Sequence, residues 1–293
     1  MAQQTPAECV QYADDTSIYR HSKPNAFENC SKEINSDINS IQKWPYESNL
    51  IFNATKTKSM LFATRQMATR HDFEFEIRSK DRKLIERVQS FKLLGVTFNE
   101  DLTWNNHVKN ITASAYGTLK SLSLLKRYLP YHLRKQLAET LVLSKLDYGN
   151  ATINNAPSYL FNQLQKVQNA TASFVKNGYS QLTDVIDLKW LPMKERSEYS
   201  IAKLAWKSIN QADWPKFLPM EKDDNVRQRP SRHEIVGGTK LRRTSNIAAS
   251  FDYEASSIFN ELPMVCRNSL NYKEFCKITK KYFLDKALAR SLA

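Results

Sequence analysis

Two adjacent carboxylates, Asp14 and Asp15, follow an aromatic and a small residue in the run Tyr12-Ala13-Asp14-Asp15. β-Forming residues flank them, Val10 and Tyr12 before and Thr16, Ile18 and Tyr19 after, so the segment reads as a hairpin with acids at its tip. Hard divalent cations take oxygen ligands, and such a tip could hold Mg²⁺ against phosphate oxygens, the central requirement of two-metal phosphoryl transfer. Asp-Asp is also ordinary turn chemistry, and a tetrapeptide alone identifies nothing without structural context. A pair of ions needs more than two carboxylates, and the residues ahead of Tyr12 hold a single acid, Glu8.

Composition bounds the partner. Lys and Arg outnumber Asp and Glu by 43 to 30, a formal net charge of +13 that suggests a polyanion, most often nucleic acid. Hydrophobic residues at 41% and charged residues at 25% fit a globular chain that buries a real core, and 6 glycines in 293 residues point to helix. Cys9, Cys30, Cys266 and Cys276 are scattered with no histidine at zinc-ligand spacing, so free thiols in a reducing compartment are expected. The opening residues lack a signal-peptide core and no apolar run approaches membrane length, so an intracellular protein, nuclear or cytoplasmic, with no membrane partner is expected.

The elements that must position the acids follow in order. Asn25 with Glu28 reads as a capping box opening a helix, whose stripe Phe27, Cys30, Ile34, Ile38, Ile41, Trp44 ends at Pro45. Leu50-Ile51-Phe52 and Ser59-Met60-Leu61-Phe62 read as short strands joined by Lys56-Thr57-Lys58, and Phe73 to Arg78 alternates as a half-exposed strand. Phe91 to Phe98 is a strand pair bent at Gly95. From Leu102 to Ala138 there is no acidic residue, while Lys109, Lys120, Lys126, Arg127, Arg134 and Lys135 are spread through helical patterns. Leu133, Leu137, Leu141, Ser144 and Tyr148 continue that periodicity to Gly149; Pro157 opens a further helix with stripe Leu160, Leu164, Val167, Thr171, Phe174. Helices run from Tyr199 to Ile209 and from Tyr272 to Leu288, the last capped by Asn271 with Glu274, and 213–250 reads as a polar loop. Trp104, Trp190 and Trp206 read as core anchors, and His107 and His132 as structural or surface groups.

The ordered set Tyr12-Ala13-Asp14-Asp15-Thr16, Asn53 to Phe62, Leu94-Gly95-Val96-Thr97-Phe98, Leu102-Thr103-Trp104 and His107-Val108 resembles the reverse transcriptase of non-LTR (LINE, jockey-like) retrotransposons. Downstream, Ser144 to Gly149, Leu164 to Ala170, Trp190-Leu191-Pro192 and Phe259 to Pro263 are similar to the region after the polymerase core of such elements. The resemblance implies an α+β fold: an incomplete polymerase palm over 1–100, a helical thumb-like region over 101–180 and a helical C-terminal region over 181–293.

By that resemblance Asp14 and Asp15 are catalytic metal ligands for Mg²⁺. Tyr12 sits by the primer end and incoming dNTP, and Lys56 (or Lys58) stands near the leaving pyrophosphate. Leu94 and Gly95 form a primer-grip hairpin. Lys120, Lys126, Arg127, Arg134 and Lys135 lie along the phosphates of an RNA template and DNA primer. The family carries fingers and earlier palm strands, with a further metal-ligating aspartate, ahead of the acidic hairpin. The sequence-level expectation is therefore a truncated polymerase that does not extend primers alone, with weak or absent Mg²⁺ binding, a basic nucleic-acid-binding remnant being the alternative and an inert decay product the third reading. A palm without its first strands is expected to leave an uncovered apolar face near Phe27 to Trp44.

Overall fold

The computed structural model describes residues 7–41, 53, 55–70, 75–79, 82–211, 214–215, 220 and 250–292. The helix end at Trp44-Pro45, the strand Leu50-Ile51-Phe52, the start of the strand at Phe73 and nearly all of the loop 213–250 lie outside them. The chain is mixed helix and sheet and divides into two compact units, 1–106 and 107–293, so residues on both sides of position 180 share one unit.

In the first unit, β1 (Glu8–Tyr12) and β2 (Asp15–Tyr19) pair antiparallel with Tyr12 opposite Asp15, leaving Ala13-Asp14 as a two-residue connection. Ala13 takes φ 51°, the left-handed backbone that tight hairpin loops require. A 3₁₀ turn at Pro24–Ala26 leads into α1 (Phe27–Ile41). The Asn25–Glu28 capping box does not form: proline begins the turn one residue earlier, Asn25 falls inside it, and Glu28 pairs instead with Lys32 one helical turn on at 2.8 Å.

The stripe of α1 is covered. Ile38 packs with Ile77 and Ile85, with Ile18, Ile34 and Phe75 around them, and Phe27 meets Phe75 edge-on at 5.5 Å. Over the described part, Phe27 to Ile41, the expected open apolar face is thus closed, within this unit, by the hairpin and by β4 (Ile77–Arg78) and β5 (Leu84–Arg87). These two strands pair antiparallel, and β5 also pairs parallel with β3 (Lys58–Ser59); the strand expected over Ser59 to Phe62 is only this short. Asn35 of α1 donates to the Glu76 carbonyl at 2.9 Å and accepts from the Arg78 amide at 2.8 Å, satisfying the strand's backbone with a side-chain amide. Between β3 and β4 lies the short α2 (Arg65–Arg70). A second two-residue hairpin joins β6 (Ser90–Leu93) to β7 (Val96–Asn99), with Leu94 at φ 46° and Gly95 at φ 82°. Positive φ at both positions is the sign pattern of a I′ turn, cheap for Gly95 and strained for Leu94.

The second unit is helical. It comprises α3 (Asn105–Leu124, joined at its start to the first unit), α4 (Tyr131–Leu137), a π-helical stretch (Ala138–Leu143), α5 (Ser144–Asp147) and α6 (Ser158–Lys176), then α7 (Leu182–Asp187), α8 (Met193–Asn210), α9 (Phe251–Glu261), α10 (Met264–Arg267) and α11 (Tyr272–Leu292). Gly149 at φ 66° stops the α4–α5 rod as its spacing predicts. The stripe of α6, Leu160 through Phe174, is buried throughout. The stripe expected from Leu133 to Tyr148 is not: Leu133, Leu141 and Tyr148 are exposed, and the buried line is Arg134, Ala138, Val142, Leu143 and Leu146. The π turn inserts a residue into the repeat, and the smaller Ala and Val side chains are the ones that fit against α6.

The main core gathers Ile201, Ala205 and Trp206 of α8 with Phe259 of α9 and Phe275 and Phe283 of α11. Trp190 and Trp206 are core residues, as read from the sequence, and His107 is buried. The Asn271–Glu274 cap forms, with the Glu274 amide donating to Asn271 Oδ1 at 2.9 Å.

Candidate metal and nucleic-acid site

The hairpin brings Tyr12, Asp14 and Asp15 to one tip, all three exposed. Gln11 steadies it by donating from Nε2 to the Ala13 carbonyl at 3.2 Å. Besides the packing of Ile18 on the α1 cluster, a charged clamp at its far end holds the hairpin to its support. Arg20, just after β2, donates from Nε and Nη2 to the two oxygens of Asp37 at 2.5 and 3.1 Å, while Nη1 meets Glu33 at 2.6 Å. The Asp37 side chain keeps only 3% of its exposure and that of Arg20 18%, so the fork is largely out of water, where bidentate geometry counts most. Its hydrogen bond to Asp37 holds the Arg20 guanidinium above its ordinary pKa, against a smaller opposing effect of burial.

The donor chemistry of the tip, hard carboxylate oxygen, suits Mg²⁺, but the number does not. Among the described residues no three His, Cys, Asp or Glu side chains gather as a metal centre. Two neighbouring carboxylates fall short of the six oxygens that octahedral Mg²⁺ prefers, so no catalytic step follows from this set alone.

The remaining residues singled out in the first unit stand on separate turns. Lys56 is exposed in a turn built by Asn53, whose side-chain oxygen accepts from the Thr55 and Lys56 amides at 3.1 Å each. Among the described residues no hydrogen bond or ion pair joins Lys56 to Asp14 or Asp15. Lys58 is engaged with Glu86 on the neighbouring strand. Leu94 stands in solvent at its hairpin tip.

In the second unit the cations divide. Lys120 and Arg127 are exposed and Lys126 is half-buried; none of the three pairs with a described carboxylate. Lys135 lies 3.9 Å from Glu139. Arg134 must be withdrawn from any phosphate-facing row: it is 7% exposed, and its Nη1 donates to the Phe174 carbonyl and to Asn177 at the end of α6. Its guanidinium completes a helix terminus instead, a use of arginine that helix periodicity does not reveal.

Two features were not singled out in advance. Tyr128 and Tyr131 flank this cationic stretch in open solvent, and their signal was the interleaving Lys126-Arg127-Tyr128-Leu129-Pro130-Tyr131. A second charged group lies in the helical unit, where half-exposed Asp147 meets the more buried Arg196 at 3.0 Å. Crowding by protein raises the Asp147 carboxyl despite Arg196, Lys203 and Lys280, and lowers Lys280, with Arg196 adding to the fall. No helix among the described residues is long and apolar enough to cross a membrane.

Comparison with known proteins adds one finding. No family model matches the chain, and no solved structure matches it. The chain is 24% identical over 163 residues to the RNA-directed DNA polymerase from mobile element jockey of Drosophila melanogaster. That match takes in 55% of this chain and only 17% of the relative's length. A distant similarity to a reverse transcriptase of a mobile element is thereby established, at a level that relates the chain to such enzymes without placing it in one family.

Proposed function

We propose that this chain is a portion of an RNA-directed DNA polymerase of the non-LTR retrotransposon type. It carries the acidic hairpin of the palm and a basic helical unit that grips template and primer. The observation that carries this reading is the exposed Asp14-Asp15 pair at a two-residue hairpin tip, in a chain with distant similarity to a mobile-element polymerase. In it Asp14 and Asp15 would hold Mg²⁺ only together with oxygen donors from residues beyond this set, and an ion so held would supply charge neutralisation at a phosphoryl group. Lys120, Lys126, Arg127 and Lys135 meet phosphates by charge, without regard to base sequence. Lys56 would serve the leaving group only if its turn approaches the hairpin tip.

A second reading, a nucleic-acid-binding protein without polymerase chemistry, is favoured by the acids at the hairpin tip, which among the described residues are joined by no third metal-ligating side chain. Anisotropy titration of an RNA–DNA hybrid across salt tests the part common to both. Changing Lys120, Lys126 and Arg127 to Gln should flatten the log–log salt slope by roughly 2 to 3, about 0.9 per lost phosphate contact, while Asp14→Asn leaves it unchanged. An unaltered slope would remove the proposed grip. Metal-dependent primer extension by the purified chain, abolished in Asp14→Ala, would decide for the polymerase reading over the second one.

A further inference from the structure

Between the end of α3 and the first turn of α4 the chain sets its largest side chains in water. Leu124 is 76% exposed, Tyr128 68% and Tyr131 51%. On α3, Tyr116, Lys120 and Leu124 recur at steps of four, which places them on one face leading to the same end, and all are exposed. Contiguous apolar surface on a soluble protein marks something that binds. The charge beside it indicates what. No carboxylate occurs from Leu102 to Ala138, and Lys120, Lys126 and Arg127 pair with none of the described acids. Protein interfaces deplete lysine at their centres, whereas surfaces for single-stranded nucleic acid combine cations with exposed aromatic faces.

The local geometry is already arranged for stacking. The Arg127 guanidinium carbon lies 4.7 Å from the centre of the Tyr128 ring, so a planar cation and an aromatic ring form one layered unit. A 3₁₀ turn over Lys126–Tyr128 and then Pro130, the cap of α4, restrict the backbone that presents both tyrosines. A duplex keeps its base faces inside its own stack and offers only phosphates here. An unpaired strand offers both phosphates and faces.

Resting on the nucleic-acid reading above, we infer that residues 124–133 form a stacking platform for unpaired nucleobases. Tyr128 and Tyr131 take base faces, and Lys120, Lys126 and Arg127 take the phosphates of the same strand.

The test uses the full chain and three fluorescent probes: oligo(dT) of about 12 nucleotides, an abasic strand of equal charge, and a duplex of equal length. Replacing Tyr128 and Tyr131 together by Ala should weaken oligo(dT) binding about thirtyfold or more, since two stacked bases are lost together. Replacing both by Phe should preserve it, and the wild-type chain should bind the abasic strand about as weakly as the Ala pair binds oligo(dT). Duplex binding should not respond to either change. Equal wild-type affinity for oligo(dT) and the abasic strand overturns the platform, as does an equal loss on duplex and single strand. If sedimentation shows self-association that the Ala pair abolishes, with oligo(dT) affinity unmoved, the occupant is a second copy and the platform is again refuted. Salt-sensitive duplex binding with no tyrosine effect removes only the platform, whereas no binding to any probe at low salt removes the nucleic-acid reading with it.

Discussion

Arg20→Met asks whether the acidic hairpin is held by its clamp. The substitution keeps an aliphatic stem of similar length and removes three donors, two on Asp37 and one on Glu33. Glu33 is more than half exposed, and its pairing contributes little, within about 1 kcal/mol. Asp37 decides the magnitude. Its side chain is 3% exposed, and removing one partner of a buried charge costs roughly 3–5 kcal/mol if the charge stays. The carboxyl can instead take up a proton, which limits the loss to the cost of neutralising an ordinary acid. From a reference pKa near 3.9 that is about 4 kcal/mol at pH 7 and about 1.5 kcal/mol at pH 5. The first unit should therefore lose about 3–4 kcal/mol at pH 7 and less than half of that at pH 5. Hydrogen exchange of the β1–β2 amides against denaturant, read on wild type and variant at both pH values, reports this unit separately from the helical one. The double change Arg20→Met with Asp37→Leu should recover most of the loss, because apolar replacement of a whole buried pair is often neutral. A loss below about 1 kcal/mol at pH 7, or one equal at the two pH values, would refute the clamp as the element that positions Asp14 and Asp15.

Two further outcomes follow from the same reasoning. Glu195 is 1% exposed, and desolvation holds its carboxyl above the usual 4.5 although Arg290 lies 2.8 Å away. The folded state binds this proton more tightly than the unfolded chain, so ionisation costs stability as pH rises from about 4.5 through the folded pKa; Glu195→Gln should gain on wild type over that window in paired urea melts, and a gap that widens on acidification instead would contradict it. Leu94 at φ 46° occupies a turn position that asparagine tolerates better, so Leu94→Asn should stabilise the first unit by about 0.5–1 kcal/mol in the same exchange experiment, and a net loss would refute backbone strain as the deciding term at this turn.

Both two-residue hairpins and the α6 stripe were legible in the residues because their causes are local: turn chemistry between alternating strands, and apolar side chains at helical spacing. The Asn271–Glu274 cap is local in the same sense. The opening of α1 was misplaced by one neighbouring residue, Pro24, whose fixed φ starts the turn ahead of the capping pair. The candidate acids were legible as well, since Asp14 and Asp15 are adjacent in the chain and the hairpin register alone presents them together.

Tertiary structure decided the rest. Leu133 and Leu141 satisfy helical periodicity as well as Ala138 and Val142 do, and only the surface of α6, with a π turn in the rod, selects the second set for burial. Arg134 reads as one more cation until the end of α6, some forty residues on, claims its guanidinium. The bond between Arg20 and Asp37 pairs a loop residue with one in mid-helix, and nothing near either in sequence announces it. Periodicity and turn chemistry come from bonds between near neighbours, which the order of residues states directly. Which face is buried, and which charge is spent inside the protein rather than offered to a partner, depends on surfaces that meet only after the chain has folded.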